Sequence, residues 1–234
     1  EERKIITIED PVEYQFGGIT QISVTSITSA EMSFADKLRA VLRLDPDIIM
    51  VGEIRDNDTA KTALQASLTG HLVLSTFHAS SAAAALTRLM DVVGANPLFV
   101  SAIRLVMAQR LVRRLDDKSK QPYKPDEATL ARVNEVIASM PEGITRPDMN
   151  NIQLYQPGKS EENPFGYNGQ IAIREQFRMT GDIRQQMEHA DHVLSAQDIE
   201  ASAIKSGMCT MLQDGVLKAC AGLTTLEEVF RVVG

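Results

Sequence analysis

The chain has 234 residues, is 44% hydrophobic and 24% charged, carries a net charge of −7 and contains no Trp. That balance fits one large folded domain or two small ones with an aliphatic, Met-rich core. It argues against nucleic acid as the main partner, and no apolar run approaches the ~20 residues that a membrane-spanning helix needs.

Cys209 and Cys220 are the only cysteines. They offer no disulfide framework, so a reducing cytosol is the expected compartment. No signal-peptide pattern opens the chain. It starts at Glu1-Glu2-Arg3-Lys4 and runs straight into a strand, which reads as a piece of a longer protein.

Ile5 to Ile8 is a short apolar strand, followed by Glu9-Asp10-Pro11-Val12-Glu13. Carboxylates this close repel unless a cation or a set of donors compensates them. The stretch is therefore either a metal–phosphate site or a solvated acidic turn, with Pro11 and Gly17-Gly18 marking loops. Gln21 to Val24 alternates like a strand. Ser33 opens a helix in which Phe34, Leu38, Val41 and Leu42 share a face, and Asp36 makes a capping box with a shorter acid. Asp45-Pro46-Asp47 ends that helix, because the residue before a proline is pushed out of the helical region.

Ile48 to Val51 is a continuous apolar run, predicted to be a strand buried on both faces of a parallel sheet. Gly52-Glu53 then leaves the sheet at its carboxyl end, where open α/β sheets place their ligand crevice. Glu53 is positioned to act on a magnesium ion, a water or a phosphate, or else it is a solvated strand end. Asp56-Asn57-Asp58 caps a helix to about Leu68, closed by Thr69-Gly70. His71 to Thr76 reads as a further buried strand, with Phe77-His78-Ala79-Ser80-Ser81 at its carboxyl end. The alternation of strand and helix is that of an α/β parallel sheet. His71 and His78 are seven residues apart and cannot share one strand face, which disfavours a joint metal site. His78 is the better candidate for phosphate or interface contact.

Ser81 to Asp91 is predicted as a helix, and Pro97 to about Leu115 as a long one. Arg104, Arg110, Arg113 and Arg114 lie toward the end of the latter, to favour its dipole or to meet nucleotide phosphates or a neighbouring subunit. Asp116 to Pro125 reads as linker, Asp126 to Ala138 as an amphipathic helix, and Pro141 to Phe165 as loop. Ile171 to Phe177 looks like a strand. Helices follow near Asp182–His189, Ser195–Lys205, Met211–Ala221 and Thr225–Val232. Glu188-His189-Ala190-Asp191-His192 has the spacing of a metal pair, but a solvated surface explains it as well. Gly158-Lys159-Ser160 imitates the end of a P-loop, yet position 153 is Gln where that motif needs Gly, so no true P-loop is present.

Several stretches together resemble one family. Ile6-Thr7-Ile8-Glu9-Asp10-Pro11-Val12-Glu13-Tyr14 resembles the acidic Asp box of the ATPases of type II secretion and type IV pilus assembly. Leu44-Asp45-Pro46-Asp47 through Gly52-Glu53-Ile54-Arg55-Asp56 resembles their Walker B segment. Thr69-Gly70-His71-Leu72-Val73-Leu74-Ser75-Thr76-Phe77-His78-Ala79 resembles their His box. Ala108-Gln109-Arg110-Leu111-Val112-Arg113-Arg114-Leu115 and Ala221-Gly222-Leu223-Thr224-Thr225-Leu226-Glu227-Glu228-Val229 also match.

The resemblance implies an α/β, RecA-like parallel-sheet ATPase core over residues 1–115, truncated on its N-terminal side and lacking its P-loop. A linker or insert over 116–170 stands in place of a zinc module, and a mostly helical C-terminal subdomain covers 171–234. It implies the C-terminal ATPase part of a homo-hexamer that hydrolyses ATP with Mg2+ to power pilin or pseudopilin assembly. Such a motor works in the cytoplasm, peripheral to the inner face of the cytoplasmic membrane, against inner-membrane platform proteins and without nucleic acid. Carried over by motif, Glu53 holds Mg2+ through water, Glu9 polarises the attacking water, and Asp10, Glu13 and Arg55 complete the nucleotide site. His78, with His71, contacts the phosphates. Gly52 stands where an Asp usually binds magnesium.

The family's P-loop lies upstream of the Asp box, so this stretch alone is expected to hydrolyse no ATP. Assembly members commonly carry four zinc-binding cysteines. Asp116, Ser119, Lys159 and Glu162 stand at those positions, so no zinc is expected. Pilus retraction ATPases lack these cysteines too, and a non-hydrolysing scaffold subunit of the same ring is a further alternative.

Overall fold

The computed structural model describes residues 3–24, 33–94, 96–149, 151–189 and 194–234. They form two compact units, Glu1–Arg104 with Met179–Ala196, and Leu105–Arg178 with Gln197–Gly234.

In the first unit four strands, β1 (Ile5–Glu9), β2 (Thr20–Ser23), β3 (Ile48–Val51) and β4 (Leu72–Ser75), make an all-parallel sheet in the order β2-β1-β3-β4. Pairing sets Ile6 beside Ile49 and Ile8 beside Val51. All four are fully buried, and because alternate residues share a face they make one apolar surface. Helices α1 (Phe34–Leu42) and α2 (Asn57–Leu68) supply Leu38, Val41, Ala63 and Ala66 to the same cluster. α1 starts at the expected capping box: the Ser33 hydroxyl accepts from the Asp36 N–H, and the Asp36 carboxylate accepts from the Ser33 N–H. Asp45 takes the left-handed conformation (φ 51°) ahead of Pro46, so the helix cannot continue. Helices α3 (Ala82–Val93) and α4 (Pro97–Ala102) follow, and α6 (Gly181–His189) returns to this unit.

Two strand readings change. On β3 only Ile49 and Val51 are fully buried, and Ile48 and Met50 on the other face are partly covered. β4 is a sheet edge among the described residues, with Leu72 and Leu74 54% and 51% exposed rather than buried. A short apolar run has the same appearance in a central strand and in an edge strand.

The second unit is built on a long antiparallel ribbon of β5 (Leu105–Leu115) and β8 (Tyr167–Arg178). The helix expected from Pro97 to Leu115 therefore stops at Ala102. From Leu105 the side chains alternate: Val106, Ala108, Arg110 and Val112 turn to one side, Leu105, Met107, Gln109 and Leu111 to the other. Period two won over apolar density, and Arg110, Arg113 and Arg114 lie on a strand, not in a last helical turn. A second small pair, β6 (Gln121–Tyr123) with β7 (Leu154–Gln156), lies within stretches read as linker and loop. α5 (Glu127–Ala138), α8 (Met211–Cys220) and α9 (Leu226–Val233) enclose a core that includes Val133, Ile137, Leu154, Val216 and Leu226. α7 (Ala196–Lys205) completes the elements. The helical reading of the C-terminal part holds. Ala190-Asp191-His192 lies outside the described residues.

Gly158 sits in this unit after β7, and no helix opens there. A Cβ added at Gly158 would lie 1.7 Å from the Ser119 carbonyl oxygen, so the segment is packed against backbone and forms no phosphate cradle.

Candidate active site

The parallel register brings two chain exits to one edge of the first sheet. Ile8 pairs with Val51, so Glu9-Asp10 and Gly52-Glu53 leave the sheet side by side. The Gly52 N–H donates to the Ile8 carbonyl at 2.7 Å. A Cβ on Gly52 would stand 3.0 Å from that oxygen and 3.3 Å from Glu9 Cα. The bare backbone at position 52 is thus what lets the two exits approach.

The loop after β4 is tied to the loop after β3. Ile54 N–H donates to the Thr76 carbonyl at 3.1 Å, and the Thr76 hydroxyl donates to the Gly52 carbonyl. The tie delivers His78 to Glu53, with Nε2 3.4 Å from Glu53 Oε2. Arg88, on α3, donates to the His78 carbonyl at 2.9 Å and lies over the Phe77 ring, fixing the loop from behind. Arg55 donates to Glu53 Oε1 and lies 3.6 Å from Asp10 Oδ2. The hydrogen bond from Arg55 holds the Glu53 carboxyl below its ordinary value, with the charges of Arg55 and His78 adding to it and outweighing the opposing effect of burial.

Glu9 is held separately. Its Oε1 accepts from the Thr7 hydroxyl and from Gln21 Nε2, the latter at 3.0 Å. Glu13 is exposed on the loop beyond Pro11. His71 is not brought to this edge. It precedes β4, at the opposite end of the strands, where its Nδ1 is 3.0 Å from the Ala66 carbonyl at the end of α2.

Of the sequence candidates, the structure thus gathers Glu53, Arg55, Asp10 and His78 into one cluster, sets Glu9 beside it, and leaves Glu13 and His71 outside. Sequence reasoning missed Thr7, Gln21, Thr76 and Arg88. Thr76 and Gln21 act through partners 24 and 12 residues away, and no local pattern marks such pairs.

No group of three or more His, Cys, Asp or Glu side chains converges as metal ligands among the described residues. Magnesium does not need one, since it is commonly held by one or two carboxylates together with substrate phosphates and waters. Glu53 and Asp10 are hard oxygen donors that already converge on one cation, the Arg55 guanidinium. That donor set fits a divalent ion bound with a nucleotide.

The sequence pattern of the family described as "Type II/IV secretion system protein" matches residues 1–231. The chain is similar to type II secretion system protein E of Xanthomonas campestris, 43% identical over 98% of this chain and 38% of the relative. It is similar as well to the type IV pilus assembly ATPase PilB of Thermus thermophilus, 44% identical over 95% of this chain and 24% of the relative. It thus spans well under half the length of these relatives. Among solved structures, the pilus retraction motor PilT with bound ADP superposes with a TM-score of 0.65 at 26% identity, over 99% of this chain and 53% of that one. The Legionella pneumophila ATPase DotB gives a TM-score of 0.66 at 21% identity, over 99% of this chain and 52% of that one, a likeness of fold.

Proposed function

This chain belongs to the type II/IV secretion system protein family, and on that premise we propose that it is the C-terminal ATPase part of a hexameric motor driving pilin or pseudopilin assembly. The observation that carries the reading is the meeting of Glu53, Asp10, Arg55 and His78 where the parallel strands end. Phosphoryl transfer asks a protein for positioning and charge compensation, and a cluster of fixed carboxylates with a guanidinium and an imidazole beside them supplies both.

Within it, Glu53 and Asp10 would hold the magnesium, which when bound neutralises charge developing on the phosphates. Glu9 orients the attacking water and takes its proton as the new oxygen–phosphorus bond forms, while the bond to the leaving diphosphate breaks and its electron pair leaves with ADP. Arg55 and His78 face the phosphates; Glu13 and His71 serve contacts beyond this cluster. No phosphate-cradling P-loop occurs among these residues, so on this reading they turn over no ATP by themselves. The working form is a homo-hexamer on the cytoplasmic face of the inner membrane, engaged with platform proteins and not with nucleic acid.

The similarity at 44% identity to a pilus assembly ATPase supports assembly. A retraction motor is the second reading, favoured by Asp116, Ser119, Lys159 and Glu162 at the positions of the zinc cysteines.

Magnesium-dependent phosphate release by the full-length protein tests the proposal against this chain alone. Activity confined to the longer protein, lost on Glu53→Ala, supports it. An inert longer protein that is a verified hexamer transfers the reading to a non-hydrolysing scaffold.

A further inference from the structure

We propose that Gln21 is a positioning residue for Glu9. The inference rests on the reading of Glu9 as the carboxylate that orients water. Gln21 stands on β2 directly opposite Thr7 of β1, and Glu9 is two residues beyond Thr7 on the same face. Register alone therefore aims both neighbours at the Glu9 carboxylate. Gln21 Nε2 donates to Glu9 Oε1 at 3.0 Å and to the Tyr14 carbonyl at 2.9 Å, and Gln21 Oε1 accepts from the Phe16 N–H at 2.8 Å.

These three bonds use both amide hydrogens and the amide oxygen. They also fix which way the amide faces, since turning it over would set donor against donor at Phe16 and oxygen against oxygen at Glu9 and Tyr14. The Thr7 hydroxyl and the Gln21 amide both engage Oε1. Both bonds therefore hold the carboxylate by the same oxygen. One side chain thus anchors the carboxylate by one oxygen and ties it to the loop that carries Tyr14 and Phe16, whose rings are largely exposed.

The test is steady-state ATP hydrolysis by the full-length protein carrying Gln21→Met, which removes all three bonds at similar volume. A second variant, Gln21→Glu, keeps an acceptor for the Phe16 N–H and loses both donated bonds. Each is made alone and with Glu9→Gln, and melting temperatures confirm folding. Misplacing a reacting group by about 1 Å costs on the order of 100-fold in rate. The expected result is a fall in kcat of about 10-fold or more for Gln21→Met and a larger one for Gln21→Glu. KM for ATP should stay within about twofold, because substrate binding is not what Gln21 serves. With Glu9→Gln already present, Gln21→Met should cause no further loss.

Equal losses in both backgrounds, or a change in KM alone, would overturn the role of Gln21. If Glu9→Gln lowers kcat and neither Gln21 variant does, the Gln21 proposal falls and Glu9 stands. If Glu9→Gln leaves kcat intact, both fall.

Discussion

His78 Nε2 lies 3.4 Å from Glu53 Oε2, while Arg55 engages the other oxygen of the same carboxylate. The Glu53 side chain is only 16% exposed, whereas that of His78 is 86% exposed. The carboxylate is the fixed member, and the exposed imidazole beside it has room to turn toward a phosphate.

Arg55→Ala should raise the pKa of Glu53 toward its ordinary value of 4.5, because the Arg55 hydrogen bond is the main cause of its depression. A carboxyl with a depressed folded value contributes stability that is fully present above its unfolded pKa and is lost as pH falls through the depressed value. Titrating the Glu53 carboxyl carbon by NMR in both proteins checks this. An unmoved titration in Arg55→Ala would remove Arg55 as the controlling partner.

Gly52→Ala should disturb both the sheet and the site. The new methyl would meet the Ile8 carbonyl at 3.0 Å and Glu9 Cα at 3.3 Å, so β1 must give way just where Glu9 leaves it. Overpacking of this kind typically costs about 1–3 kcal/mol. Urea melts should show a loss of that size, and hydrolysis by the full-length protein should fall more steeply than stability does. A variant as stable and active as the parent would mean that the exits are not held this closely.

How much of this was legible beforehand depends on the range of the determining contacts. The Ser33 cap, the break at Asp45-Pro46 and the position of the Ile48–Val51 strand are set within a few residues and appear as read, while the burial of that strand's second face is not. The cluster of Glu53 with Asp10 joins strand ends 43 residues apart, yet it was accessible because parallel strands expose successive carboxyl ends along one edge. Leu105–Leu115 was misread because both of its faces carry apolar as well as polar side chains, leaving apolar density to mimic a helix. Gln21 was invisible for another reason. Its meaning lies in the β1–β2 register, and nothing in the sequence fixes which residue faces Thr7.

The 116–120 and 157–166 segments should hold without metal. Asp116 N–H donates to the Gly166 carbonyl at 3.0 Å, and Lys120 joins Asp117, the Gly222 carbonyl and the Tyr155 ring. A chelator should therefore leave the melting temperature unchanged, and elemental analysis should find no stoichiometric zinc. Gly158→Ala, by contrast, should destabilise by about 1–3 kcal/mol or more, since its Cβ would overlap the Ser119 carbonyl at 1.7 Å. Stoichiometric zinc, or a chelator-sensitive melt, would contradict this.

Glu228 should set the acid limit of the second unit. It is 0% exposed, and burial alone would push its carboxyl up. Hydrogen bonds from Arg231 at 2.9 and 2.8 Å, and from the Arg113 guanidinium and N–H at 2.6 and 3.0 Å, outweigh burial and bring it from 4.5 to about 2. A depression of that size corresponds to about 3 kcal/mol of stability. It is present above about pH 4.5 and lost as pH falls toward about 2. Glu228→Gln should cost about 1–3 kcal/mol at pH 7, near the lower range for a broken charged contact. The Arg113 and Arg231 side chains are 48% and 57% exposed and can rehydrate, which keeps the cost below that of stranding a buried charge. Urea denaturation at pH 7 and pH 3 should show the gap between parent and variant narrowing in acid, where the parent carboxylate approaches protonation. A gap of equal size at both pH values would mean that Glu228 is held by packing and not by its charge.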